Sequence, residues 1–338
     1  MTTGLRAAVA DGPARWPRVG LRALLATIAV LLAGCAQMVP QTMALRSDWP
    51  WGVPQSSEID AVPFFPQNDY QCGPAALATA LAFTGVAVTP APLVDQVWLP
   101  GRRGSLQLEM LAAARRHGRV SYVLSPRYGD LLREVAAGNP VVVLQDVGLF
   151  GTRWHYAVVT GFDYPSGTVL LRSGTQARRE MPFTAFERSW MASGYWAMVV
   201  MPPDRIPATA TEDAWLNAVL AMGRVADPRS ATMALRNALK RWPENLAGAV
   251  GLANQLHSAG DLEHAADVLR EARRRHPASS IVANNLAQVL SDMGRQQEAL
   301  ALIEQAGGDP RNPFASEIRA THDLIVERLE SRAQGAGR

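Results

Sequence analysis

Between residues 72 and 201 the apolar positions of the chain change rhythm, from helical spacing to alternation. The run from Cys72 to Thr84, rich in Ala and Leu, predicts a helix that Gly85 closes as its C-cap. Two further helices are expected, over 90–97 and over 106–117. In the second, Leu108, Leu111 and Ala112 recur on one face between Gly104 and Gly118. The period then falls to two. Strands are expected over 120–124, 140–144 and 154–163, with a helix at 130–137 before the second of them. A turn at Pro165-Ser166-Gly167 comes next, and then short strands at 169–171 and 195–201. Helices first and antiparallel strands afterwards make an α+β domain, a helical layer against an antiparallel sheet, assigned to residues 58–203.

Prolines and small polar residues over 204–208 read as a linker. Beyond them the chain is Ala- and Leu-rich with no strand-like stretch, and a second pattern emerges. Pro243 recurs as Pro277, Leu252 as Leu286, Gly260 as Gly294, Ala265 as Ala299 and Ala272 as Ala306, each 34 residues on. Ala231, Leu235 and Ala238 stand in the same relation to Ala265, Leu269 and Ala272. This spacing resembles tetratricopeptide repeats, which implies an all-α solenoid over residues 209–330 with a terminal helix near 313–329, an eight-residue tail over 331–338, and a protein partner on the concave face. His257, His264 and His276 lie on this array without metal-ligand spacing and read as surface residues.

At the other end, Arg6, Arg15, Arg18 and Arg22 precede an uncharged apolar run over 23–33, too short to span a bilayer and shaped like a signal peptide over 1–34. The run closes on Leu32-Ala33-Gly34-Cys35, which resembles the lipobox of bacterial lipoproteins. That resemblance implies acylation at Cys35, attachment to a membrane through lipid and, with Ala36 after it, the periplasmic face of the outer membrane. Residues 35–57 then read as a spacer. The chain has two cysteines, so lipidation leaves Cys72 unpaired; a Cys35–Cys72 disulfide in a secreted protein is the alternative. Taking the four arginines and Asp11 of residues 1–34 from 33 basic and 30 acidic side chains leaves 29 of each. A neutral chain gives no case for nucleic-acid binding.

Cys72 stands at the expected start of a helix, where unpaired amides favour a thiolate nucleophile. The structural alternative is a small buried cysteine packed like an alanine. His155 is the one histidine inside a strand-like apolar run, as a catalytic base or as a core histidine bonded to backbone. The helical half thus carries a candidate nucleophile and the sheet half a candidate base, the division a papain-like site needs.

Gln67, four further residues, Cys72-Gly73-Pro74-Ala75, Gly104-Ser105-Leu106, Gly138-Asn139-Pro140 and His155-Tyr156-Ala157-Val158-Val159-Thr160-Gly161 together are similar to the bacteriocin-leader-processing cysteine peptidases and their stand-alone relatives, over about residues 61–200. The resemblance implies Cys72 as nucleophile, His155 as general base and then acid, and Gln67 as donor to the oxyanion, in a cysteine endopeptidase working through an acyl-enzyme. Two departures stand out. Gln71 replaces the family's Asp before the nucleophile, and the strand after His155 reads Leu170-Leu171-Arg172-Ser173-Gly174 with no carboxylate. Ser173 or Asp163 is left to orient the imidazole. Nothing resembles a phosphate loop, a dinucleotide fingerprint or a zinc site, so no cofactor or metal is implied.

These residues are compatible with two functions. One is a peptidase whose repeats recruit substrate or partner, a chemistry shared with amidases and transglutaminase-like enzymes. The other is a peptidase-like scaffold that binds peptides or proteins with little or no turnover. The leader peptidases of this family are usually fused to export transporters and no such segment is read here, so processing of double-glycine leaders is not assumed.

Overall fold

A computed structural model describes residues 39–67, 71–102, 104–306 and 311–336. The expected signal peptide and Cys35 lie outside these residues. Gln41–Arg338 forms one unit.

The chain opens with α1 (Pro40–Ser47) and the short strand β1 (Ser56–Glu58). Then come α2 (Cys72–Phe83), α3 (Pro90–Val97), the small strands β2 (Trp98–Leu99) and β3 (Gly104–Ser105), and α4 (Gln107–Arg116). The main sheet is built from β4 (Val120–Val123), β5 (Val141–Asp146), β6 (Trp154–Asp163), β7 (Thr168–Ser173), β8 (Gln176–Pro182) and β9 (Ala197–Met201), interrupted by α5 (Tyr128–Ala136) and α6 (Phe183–Met191). Its order is β4-β9-β5-β6-β7-β8, antiparallel throughout. The long β6 has two partners on one side. β5 pairs its first half, from Trp154 to Val159, and β1 continues along Gly161–Asp163.

Helices cover both faces of this sheet, not one. Val142, Leu144, Tyr156, Val158, Met198 and Val200 face α2, α3 and α4, where they meet Leu77, Leu81, Leu93 and Met110. Val141, Val143, Ala157, Val159, Val199 and Met201 face the opposite core, with Leu131, Phe186 and Trp190. A strand buried on both sides needs an unbroken apolar run, which is why β5 begins Val-Val-Val-Leu without alternation. By contrast β8, Gln-Ala-Arg-Arg-Glu-Met-Pro, lies at the sheet edge and is mostly exposed. Charged side chains suit an edge because they oppose pairing with another chain.

The stretch that reads as a spacer is structured from α1 onward. Glu187 on α6 is fully buried and accepts hydrogen bonds from the amides of Gln41 (2.9 Å) and Thr42 (2.6 Å) and from the Tyr195 hydroxyl (3.2 Å). Burying a carboxylate is costly unless donors surround it, and here backbone amides at the start of α1 supply them. Trp49 adds packing against Phe162 and Tyr164.

The expected linker is fastened in the same way. Glu134 on α5, also fully buried, accepts from Asn139 Nδ2 (2.7 Å), the Ala208 amide (3.3 Å), and both the amide and the hydroxyl of Thr209 (2.6 Å each). The next helix, α7 (Glu212–Met222), lays Trp215 against Tyr122 of β4, and the Tyr122 hydroxyl donates to the Thr209 carbonyl. The sheet core therefore runs on into the helices beyond it.

Those helices are α8 (Pro228–Arg241), α9 (Leu246–Ser258), α10 (Leu262–Arg275), α11 (Ser280–Asp292), α12 (Gln296–Ala306) and α13 (Ala315–Ala336), each packed on the one before. With α7 counted and α13 aside, these helices begin at 212, 246 and 280 in one series and at 228, 262 and 296 in the other, a step of 34 residues each time. Ala231, Leu235, Ala238, Ala265, Leu269, Ala272 and Ala299, found through that period, are all buried. Among the described residues no helix is long and apolar enough to cross a membrane.

Candidate active site

Cys72 is the first residue of α2, as the Gly-Pro pair after it leads one to expect. No side chain caps this helix end, so its first amides remain available. Gly73 has a steric reason to be glycine: a Cβ there would lie 2.2 Å from Ser105 Oγ. Its bare backbone lets β3 press against the start of α2. The Tyr156 hydroxyl donates to the Ser105 carbonyl at 3.2 Å and ties β3 to β6.

These contacts bring α2, β3, β6 and the end of β7 around one cleft of about 1030 Å³, in which Gln67, Cys72, His155 and Ser173 all take part. Gln67 reaches it from the other side of the β7–β8 turn, its amide donating to the Gly174 carbonyl at 3.0 Å. Its side chain is buried and Oε1 has no hydrogen-bond partner among the described residues.

His155 lies second in β6, half-buried, with Nε2 2.9 Å from Ser173 Oγ. Ser173 is buried at the end of β7, where the pairing with β8 shifts register between Leu171 and Ser173. A bulge of this kind re-aims a side chain. The same geometry removes Asp163 from the candidates. It sits at the far end of β6, eight residues along an extended strand from His155, and accepts from the Ser166 amide in the β6–β7 turn. Of the two possible orienting residues, Ser173 is the one in contact.

From sequence, a helix terminus is expected to favour the Cys72 thiolate, and here the structure differs. Burial pushes the thiol above its ordinary range, and the amides of Tyr156, Gly73 and Cys72 itself only partly offset this. Burial also lowers His155 to about 4, with Arg179 and Arg153 adding repulsion. No hydrogen bond joins Sγ to the imidazole, and Cys72 is a free cysteine. The resting pair is thus a thiol and a neutral imidazole. With Nε2 taken by Ser173, Nδ1 is the nitrogen left for the thiol proton.

Sequence reasoning misses three features: the reason for Gly73, and the two arginines that flank His155. Arg153 ends the loop closed by Asp146, whose Oδ1 accepts from the amides of Gly148 (2.9 Å) and Arg153 (2.8 Å). The Gly-Leu-Phe-Gly stretch between them is the available signal, because such spacing marks a tight loop. Among the described residues no group of three or more His, Cys, Asp or Glu side chains is arranged to hold a metal ion.

Comparison with known proteins bears on this region. No curated protein matches the chain. Among solved structures, a protein from Bacillus anthracis described as a C39-like peptidase is 19% identical, with a TM-score of 0.37, covering 44% of this chain and 98% of its own. A double glycine motif protease from an AMS/PCAT transporter, in complex with the leader peptide, is 21% identical with a TM-score of 0.33, covering 43% and 93%. MamA MSR-1 C2 is 18% identical with a TM-score of 0.31, covering 37% and 71%. Residues 59–198, which hold the cleft, match the model of the Peptidase_C39 like family.

Proposed function

We propose that this chain is a cysteine peptidase that cleaves peptide bonds at Cys72, held at the periplasmic face of the outer membrane by a lipid on Cys35. The observation that carries the chemistry is the meeting of Gln67, Cys72, His155 and Ser173 in one cleft within a C39-like region. In this reading, substrate entering the cleft closes the thiol–imidazole contact. Sγ attacks the peptide carbonyl carbon while its proton passes to Nδ1 of His155, and the oxyanion receives a hydrogen bond from Gln67. A single oxyanion donor typically contributes ~3–4 kcal/mol to the transition state. Collapse breaks the C–N bond, the imidazolium returns the proton to the leaving amine, and water hydrolyses the thioester.

The helices from Glu212 onward are read as tetratricopeptide repeats, on the strength of the 34-residue step, and as the surface that recruits the substrate or a protein partner. The domain limits that accompany this reading are 58–203 and 209–330.

A second reading, a peptide-binding scaffold with little turnover, is favoured by one specific observation: a hydroxyl occupies the position next to His155 where a carboxylate would support the imidazolium. One experiment separates the two. The mature protein with Cys35 replaced is treated with a peptide aldehyde, and the adduct is located by mass spectrometry beside Cys72→Ala, His155→Ala and Gln67→Ala. A hemithioacetal at Cys72 that needs both His155 and Gln67 supports the enzyme. Absence of adduct, or equal adduct in all but Cys72→Ala, overturns it.

A further inference from the structure

Four arginines surround the β7–β8 turn and the cleft mouth, and they fall into two pairs. Arg172 donates to the carbonyls of Val62 and Ala177, and Arg178 is bonded to Glu58 and Glu180. Arg153 and Arg179 line the cleft itself, and neither guanidinium makes a hydrogen bond or ion pair with another described residue. Among the described residues no Asp or Glu lines the cleft. The nearest acids on the same elements are engaged, Asp146 with the amides of Gly148 and Arg153, and Glu180 with Arg178.

The position of Arg153 is built into the fold. The β5–β6 loop is closed by Asp146 and by the Val147 amide donating to the Arg153 carbonyl at 2.9 Å. Within it, a Cβ on Gly148 would meet the Gly151 carbonyl oxygen at 1.8 Å, and Gly151 has φ +94. Two glycines and a carboxylate thus fix the backbone of a cationic residue two positions before His155, whose proton that charge opposes. A pair of cations in a partly enclosed cleft, with no acidic side chain among the described lining residues, draws an anion from outside.

We propose that Arg153 and Arg179 are specificity-determining residues that bind a carboxylate of the substrate, so that this cleft selects peptides with an acidic side chain or a free C-terminus close to the bond attacked. The inference rests on the peptidase reading for the word substrate, but its binding part stands without turnover. A carboxylate between the two guanidinium groups also cancels their repulsion of the proton on His155. It thereby supplies from the substrate the negative charge that Ser173 does not.

The test uses the mature protein carrying Cys72→Ala, with and without Arg153→Gln and Arg179→Gln, both cleft-lining residues whose guanidinium groups have no partner among the described residues. Dye-labelled five-residue alanine peptides are titrated by fluorescence anisotropy in three forms: one internal Glu with an amidated end, one internal Gln with an amidated end, and all-Ala with a free carboxylate. The expected result is at least tenfold tighter binding of one anionic form over the Gln peptide, weakened by salt and abolished in the double variant. Preference for the Glu form assigns the site to an acidic side chain, and preference for the free acid assigns it to a terminus. Equal binding of all three, or a preference that survives loss of both arginines, overturns the proposal. Anion binding without cleavage by the Cys72 protein would instead overturn the peptidase reading alone, and cleavage without anion preference would overturn this inference alone.

Discussion

Nε2 of His155 and Oγ of Ser173 lie 2.9 Å apart, so the residue that fixes the imidazole can share a proton with it but carries no charge. A carboxylate in that place would do both. The imidazole is therefore oriented, but nothing charged beside it offsets the burial and the Arg179 and Arg153 repulsion that make it weakly basic.

Ser173→Asp should therefore raise the basicity of His155 and speed alkylation of Cys72 near neutral pH about tenfold, whereas Ser173→Ala should slow it by a similar factor through loss of orientation. Iodoacetamide kinetics with Cys35 replaced, together with NMR titration of the His155 ring, measure both. If Ser173→Asp leaves the imidazole titrating near 4, Ser173 is not the orienting group.

Two linked pH effects are expected. Cys72, raised by burial, should alkylate with an apparent pKa above that of a free thiol. His155 is held neutral down to about 4, while in the unfolded chain it takes up a proton near 6.5. The unfolded state therefore binds more protons between these values. The native state loses about 3 kcal/mol of relative stability through this one group as pH falls from above 6.5 to about 4. Urea unfolding of wild type and His155→Gln at both ends of that window isolates the contribution. Parallel curves for the two proteins would show that His155 titrates normally in the fold.

Gly73→Ala places a methyl group where Ser105 Oγ now sits, 2.2 Å from the ideal Cβ. β3 has to withdraw from the start of α2, and overpacking of this sort typically costs 1–3 kcal/mol. Because Ser105 and Cys72 share the cleft, the reactivity of Cys72 should change more than the unfolding midpoint. The pair Gly73→Ala with Ser105→Gly should recover much of both. No recovery would place the cause outside this contact.

Much of this architecture is legible in the sequence because burial leaves a pattern. The Cys72 helix, the β5 and β6 strands and the 34-residue period are all written in apolar spacing, and each reappears with closely matching limits. The parts without a sequence signal are polar. β8 is an exposed edge strand with no alternation to betray it, α1 and Trp49 after it are held by a buried glutamate and an aromatic cluster that no local window reveals, and the three-residue β1 is held by its pairing with β6. At the site, motifs point to Cys72, Gln67 and His155, but not to the state of the thiol. A helix terminus is a local feature visible in sequence, whereas the desolvation that outweighs it comes from the whole fold.

The same holds for residues 204–208, whose composition suggests a loose linker and whose attachment depends on a distant carboxylate. Glu134 gathers four donors from Asn139, Ala208 and Thr209, and Arg205 in turn reaches Asn139 Oδ1 at 3.2 Å. Glu134→Ala removes the acceptor and leaves several buried donors unpaired. Each such group costs ~1–3 kcal/mol, and breaking a buried charged network costs about 3–5 kcal/mol. Glu134→Gln keeps one carbonyl oxygen but turns an amide towards donors, so its loss should be intermediate. If the clamp is what fastens α7 to the sheet, Glu134→Ala should also make residues 203–211 sensitive to limited proteolysis under native conditions, while Trp215 fluorescence shifts to the red. A variant that loses little stability and stays resistant would mean that the Tyr122–Trp215 contact alone holds the helices in place.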